Sequence, residues 1–138
     1  MNRQDAKPAK EEPDHELDLL ANTAIGAAIE VHRHLGPGYL ESIYEEALAI
    51  EFRLRNLPFE RQHPIGVAYK NVVVGQSRLD FLVGLRLVVE IKAVEHLLPV
   101  HRVQVISYLK ATNCRLGLLI NFHEATLARG VKRIVCTN

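Results

Sequence analysis

One stretch of this chain restricts its local folding more than any other: Arg78-Leu79-Asp80-Phe81-Leu82-Val83, then Gly84-Leu85-Arg86, then Leu87-Val88-Val89-Glu90-Ile91-Lys92. Two apolar strands flank a short glycine-containing turn, which predicts an antiparallel hairpin folded about Leu85. That fold sets Asp80 across from Glu90. Directly opposed residues on such a pair lie about 4.5–5.5 Å apart, and like charges there are destabilising. Side chains alternate along a strand, so Glu90 and Lys92 share a face while Ile91 points away. Two carboxylates and an ammonium therefore converge on one patch, which is costly unless a cation sits between the acids. The residues alone favour a Mg²⁺ or Mn²⁺ site on Asp80 and Glu90, with the Ile91 carbonyl as a further ligand. The competing reading is a surface hairpin whose acids are solvated or paired with Arg78 and Arg86.

A chain of 138 residues, 48% hydrophobic and 24% charged, has the make-up of one globular domain. It contains no Trp, so its core must be largely aliphatic. Cys114 and Cys136 form no CxxC pair, which excludes a four-thiolate zinc or iron–sulfur site within one chain. A single disulfide stays possible. The polar stretch from Met1 to Asp14 lacks the apolar segment of a secretory signal. No apolar run approaches the roughly 20 residues of a membrane helix. The expectation is a cytoplasmic protein with no membrane partner. The net charge of +1 conceals an asymmetry: residues 1–60 carry net −6 and residues 61–138 net +7. A basic half suits a phosphate-binding face, or the two halves attract each other or a second subunit.

Residues 1–16 are charged and proline-containing, and read as a disordered tail ahead of a folded domain at 17–138. Apolar residues from Leu17 to Leu35 recur at helical spacing, and Gly36-Pro37-Gly38 ends that helix. A second helix is predicted from about Tyr39 to Arg55, with Leu40, Ile43, Tyr44, Ala47, Leu48 and Leu54 available to the core. Strands are expected at 65–69 and 72–74, joined by a Lys70-Asn71 turn, then in the hairpin. Pro99 opens a helix to about Ala111. Leu116 to Ile120 reads as a strand buried on both faces, and Val131 to Val135 as an edge strand. The predicted order is α-α-β-β-β-β-α-β-β, an α/β fold with a mixed sheet flanked by helices.

Further residues carry candidate chemistry. Beside a metal, the Lys92 ammonium orients or helps deprotonate a water and stabilises charge on a phosphate; the alternative is a salt bridge to Glu90 or Glu95. Glu41 stands in the first turn of the second helix, where the helix dipole alone favours an acid. Gln104 and Tyr108, four residues apart, share a helix face. They suit nucleic-acid contact, Gln by hydrogen bonding and Tyr by stacking, or equally a helix–sheet interface with a satisfied hydroxyl. The seven histidines show no HExxH-type pairing. Ser107 has no evident triad partner, and the glycines form no phosphate-cradling loop.

Taken together, Gly38-x-x-Glu41-x-x-Tyr44, Arg78-Leu79-Asp80, Val89-Glu90-Ile91-Lys92-Ala93-Val94, Gln104-x-x-x-Tyr108-Leu109 and Leu116 to Phe122 resemble the small GxxExxY proteins, a branch of the PD-(D/E)XK nuclease superfamily. The resemblance spans about residues 18–135. It implies a restriction-endonuclease-like core. It implies that Asp80 and Glu90 bind Mg²⁺ or Mn²⁺, that Lys92 is the catalytic lysine, and that Glu41 joins the same site directly or through water. The Gln104/Tyr108 pair resembles the QxxxY element of RecB-type nucleases, thought to position the nucleic acid. Some of those enzymes carry a four-cysteine cluster, which this chain lacks. The resulting expectation is a Mg²⁺-dependent nuclease hydrolysing phosphodiester bonds in DNA, no RNA-reading motif arguing for RNA. A homodimer is one way for so small a domain to hold both strands. The alternative is a non-catalytic module that grips nucleic acid or protein and retains the metal site.

Overall fold

The computed structural model describes residues 14–136. Of the stretch read as a tail, positions 1–13 lie outside the described residues. Beyond them Asp14 is an extended cap and His15 and Glu16 are helical: helix α1 spans His15–Leu35, beginning two residues before the expected boundary. Asp14 sets that start, since its carboxylate accepts the Leu17 N–H at 2.8 Å. Helix α2 follows at Glu41–Leu54, then strands β1 at Phe59–Tyr69, β2 at Val72–Val83 and β3 at Leu87–Lys92. Helix α3 covers Pro99–Thr112, β4 Leu116–Asn121, the short α4 Leu127–Gly130 and β5 Val131–Val135.

The five strands form one mixed sheet in the order β1-β2-β3-β4-β5. Only β3 and β4 run parallel, joined by the α3 crossover. One sheet face packs on α1 and α2, through Phe81, Val83, Val89, Ile91, Leu118 and Ile120. The other face packs on α3, whose Val105, Tyr108 and Leu109 meet Leu79, Leu82 and Val88. Strand β4 lies between these layers and is buried along its whole length, as its unbroken apolar run predicts. In α1 a row of alanines, Ala21, Ala24, Ala27 and Ala28, is fully buried and allows close packing. In α2 the core face is Tyr44, Leu48, Ala49 and Phe52. Leu40, Ile43 and Leu54, expected in the core, are exposed. Leu40 is the extended N-cap and does not follow the helical period. Leu54 lies two residues past the buried Phe52, about 200° round the helix and so on its far side.

The stretches 72–74 and 78–83 are one strand, so the sheet has five strands where six were expected among the described residues. Gly75 does not break it: Val67 pairs with Gly75 and Ala68 with Val73, leaving Val74 as the extra residue of a bulge. Likewise β1 begins at Phe59 and runs through Pro64, which an edge strand tolerates.

The charge asymmetry is resolved within the molecule. Arg61 pairs with Glu45 and Glu46, Arg86 with Asp14, and Arg133 with Asp18, each joining the basic half to the acidic half. Arg86 and Arg78 therefore do not pair with Asp80 or Glu90; Arg78 donates to the Gln62 carbonyl at 3.2 Å. No disulfide joins Cys114 and Cys136. Among the described residues, no helix is long and apolar enough to cross a membrane.

Candidate metal and nuclease site

Strands β2 and β3 pair at Phe81↔Val89, Leu82↔Val88 and Val83↔Leu87. The next step of that register is Asp80 opposite Glu90, as the turn about Leu85 predicts. There the side chains take over from the backbone ladder. The Asp80 N–H donates to Glu90 Oε2 at 2.6 Å, and the Ile91 N–H donates to Asp80 Oδ2 at 2.8 Å. Each carboxylate is thus anchored on the other's strand. This arrangement gives each of the opposed acids a main-chain donor, while the repulsion between them persists in the raised Glu90 carboxyl.

Glu90 is only 4% exposed. Burial, and then the neighbouring Asp80 charge, push its carboxyl up to about 8, against the opposing pull of the Asp80 N–H and the Lys92 charge. Burial also raises Asp80, with the Glu45 and Glu41 charges adding to it, while the Ile91 N–H and the Gln62 amide hold it down. No described residue hydrogen-bonds Glu90 Oε1. The Lys92 ammonium is half-buried and makes no salt bridge to Glu90, Glu95 or any other described residue. Its main chain is pinned, since the Phe122 N–H donates to the Lys92 carbonyl at 2.8 Å. The fully buried Asn121 clamps the segment beyond: its amide donates to the Val94 carbonyl at 2.8 Å, and its oxygen accepts the Val94 N–H at 3.0 Å.

Glu41 is exposed in the first turn of α2 and acts electrostatically on both Asp80 and Glu90. The Gly38-x-x-Glu41-x-x-Tyr44 pattern has a physical reading here. Gly38 has φ 114, a conformation that favours glycine. The buried Tyr44 hydroxyl donates to the Gly36 carbonyl at 2.5 Å and accepts the Tyr39 N–H at 3.2 Å. Its ring stacks on Phe122 at 4.6 Å. Tyr44 thereby fixes the turn leading into Glu41, one helical turn away. Tyr44→Phe is expected to lower stability by about 1–2 kcal/mol, read as a lower urea midpoint with unchanged helix content.

Three site residues carried no flag in the sequence. Gln62 lies on β1 opposite Asp80, and its amide donates to Glu45 Oε1 at 3.0 Å and to Asp80 Oδ1 at 3.3 Å. Glu45 Oε2 in turn accepts from Arg61 Nη2 at 2.9 Å and Nε at 3.1 Å. Glu45 was detectable in principle, being four residues after Glu41 and so on the same helix face. Arg61 and Gln62 were hidden because Pro64 obscured the first half of β1. Gln62 also has φ 51, a left-handed conformation that costs a residue with a side chain on the order of 1–3 kcal/mol.

That backbone feature coincides with a change of face. Phe59 and Phe81 pack toward α1 and α2, whereas Ile65 and Leu79 pack toward α3. Strand residues at even spacing share a face, so both strands turn over between these positions. The register does not slip: Arg61↔Phe81 and His63↔Leu79 belong to one alignment.

Gln104 and Tyr108 stand apart from the carboxylates. They line a groove of about 580 Å³ between α3 and the β1–β2 ribbon, with Ile65, Val67, Ser77 and Ser107. Gln104 is half-buried. Tyr108 is 7% exposed and its hydroxyl pairs with Ser77 Oγ at 3.1 Å, the geometry of a satisfied helix–sheet contact. His101 caps its own helix, Nδ1 accepting the Leu98 N–H at 3.0 Å.

Among the described residues, no three His, Cys, Asp or Glu side chains are gathered into a ready metal cage. The donor set nonetheless suits a hard divalent ion. It offers two adjacent carboxylates, one of them buried with an oxygen lacking a partner, and Mg²⁺ is commonly held by one or two carboxylates with waters completing its shell. A family model described as the PD-(D/E)XK nuclease superfamily matches residues 18–134, nearly all of the described chain. No curated protein and no solved structure gives a significant match.

Proposed function

This chain belongs to the PD-(D/E)XK nuclease superfamily, and from that premise we propose a Mg²⁺- or Mn²⁺-dependent nuclease that hydrolyses phosphodiester bonds in DNA. The finer placement is in the GxxExxY branch, on the motif around Glu41 and Tyr44. The observation that carries the proposal is the crossed anchoring of Asp80 and Glu90 beside an ammonium, Lys92, that makes no salt bridge to a carboxylate among the described residues. Asp80 and Glu90 would hold the cation, with the Ile91 carbonyl and Glu41 as the chain's remaining donors. When bound, the ion supplies Lewis-acid stabilisation of phosphate charge and a more acidic water.

The chain's own residues do the rest. Lys92 orients the attacking water and offsets negative charge gathering on the scissile phosphate. Gln104 contacts the nucleic acid along the α3 groove. Tyr108, held by Ser77, keeps that part of α3 in place.

A thermal melt with and without Mg²⁺ or Mn²⁺, repeated on Asp80→Asn, tests the site. Saturation to about a hundredfold over Kd adds about 2.7 kcal/mol, roughly 8 °C in Tm for a domain of this size. The variant should lose that rise. Incubation with DNA and with RNA under the same conditions tests the substrate. Absence of any metal-dependent cleavage would leave the domain as a binding module.

A further inference from the structure

We propose that Gln62 is a positioning residue for the cation site, setting the Asp80 carboxylate at its working angle; this rests on the metal reading above. Gln62 is the only described residue whose side chain reaches Asp80 Oδ1, at 3.3 Å. Asp80 Oδ2 is held from the other side by the Ile91 N–H at 2.8 Å. With both oxygens tied, one from β1 and one from β3, rotation of the carboxylate plane is opposed from both sides. Each oxygen still keeps a lone pair for a cation.

Gln62 is itself held. Its second amide proton goes to Glu45 Oε1 at 3.0 Å, and the Arg61 guanidinium locks Glu45 Oε2 through two nitrogens. The sequence of contacts Arg61, Glu45, Gln62, Asp80 joins helix α2 to the centre of the site. It also links Asp80 to Glu41, one turn before Glu45 on the same helix. The left-handed backbone at Gln62 brings its amide to this position. A regular strand would continue the alternation that β1 breaks between Phe59 and Ile65. A non-glycine residue in that conformation, at the point where both strands turn over, fits the known concentration of backbone strain at functional sites. Glutamine also has the chemistry the position needs: one NH₂ group serves two carboxylates, where a glutamate would add a third negative charge.

The test is Mn²⁺ affinity by isothermal titration calorimetry on the full chain, with Tm of the metal-free protein measured alongside. Gln62→Gly keeps the left-handed backbone at no steric cost and removes the amide. Gln62→Asn keeps an amide and tolerates the backbone, but is one methylene too short to reach both carboxylates. Both variants should weaken Mn²⁺ binding by about 10–100-fold, the usual effect of losing a group that orients a metal ligand, with Tm unchanged or raised for Gln62→Gly. A residue with only a structural role would lower Tm and leave the affinity of the folded fraction alone. If Gln62→Gly binds Mn²⁺ like the wild type while Asp80→Asn does not, the inference about Gln62 is overturned and the metal site stands. If Asp80→Asn also binds normally, or the wild type takes up no Mn²⁺ at millimolar concentration, the metal reading fails and this inference fails with it.

Discussion

Lys92→Ala is expected to leave a folded protein whose DNA cleavage is slower by about 10²–10³-fold, the usual loss when one group stabilising transition-state charge is removed. The structural case for a small effect on stability is direct. The Lys92 side chain is half-buried and makes no ion pair with a described residue, while its main-chain anchors, the Phe122 N–H and the pairing with Asn121 on β4, survive truncation. The charge at the end of β3 is what is lost. Lys92→Arg separates two roles: it keeps the positive charge but replaces the compact ammonium with a planar guanidinium that places its donors differently. Partial activity in the arginine variant assigns Lys92 mainly to electrostatics; activity as low as in the alanine variant assigns it to handling the water. Single-turnover cleavage with saturating Mg²⁺ reads the effect. Wild-type rates in Lys92→Ala would overturn the mechanism.

The second large effect concerns stability. Glu90→Gln should raise the Tm of the metal-free protein, and by an amount that depends on pH. The folded-state value near 8 lies well above the ordinary 4.5. Between those values the folded chain keeps a proton that the unfolded chain has released, so wild-type stability falls as pH rises through that window. Below pH 4.5 both states hold the proton and Glu90 carries no ionisation penalty; above about 8 the whole penalty is present. It is on the order of 3–5 kcal/mol, roughly 10 °C or more in Tm. Glutamine retains an oxygen for the Asp80 N–H and has no charge to desolvate. Thermal melts at pH 4 and pH 9 in the presence of a chelator should therefore show the two proteins equal at the acid end and well separated at the alkaline end. A variant less stable than wild type at both would mark Glu90 as part of a structural ion-pair network. Such a penalty, relieved by a cation at the proposed site, would be a familiar exchange of stability for function.

Much of this was legible from residue order. The opposition of Asp80 and Glu90 follows from a three-residue turn and strict strand alternation, and α1 and β4 follow from apolar period and run length. What escaped did so for identifiable reasons. Pro64 and Gly75 look like breaks, yet an edge strand accepts one and a bulge absorbs the other, so β1 and β2 were read too short. Gln62 then fell in an unassigned segment, and neither its left-handed backbone nor its tertiary contacts with Glu45 and Asp80 are encoded in a local pattern. Leu40 and Leu54 satisfy a hydrophobic count but miss the face that Tyr44, Leu48 and Phe52 define. The short helix at Leu127–Gly130 has no apolar period to announce it.

The crossed anchoring of the two acids has a consequence for how such a site withstands mutational drift. Both donors, the N–H of residue 80 and the N–H of residue 91, belong to the main chain. Any amino acid but proline supplies an N–H at position 91, so the surroundings can be rewritten side chain by side chain while the wiring survives. For the crossed pair itself, only the two carboxylates and the hairpin register need to be inherited; Gln62 and Lys92 are separate requirements of the site.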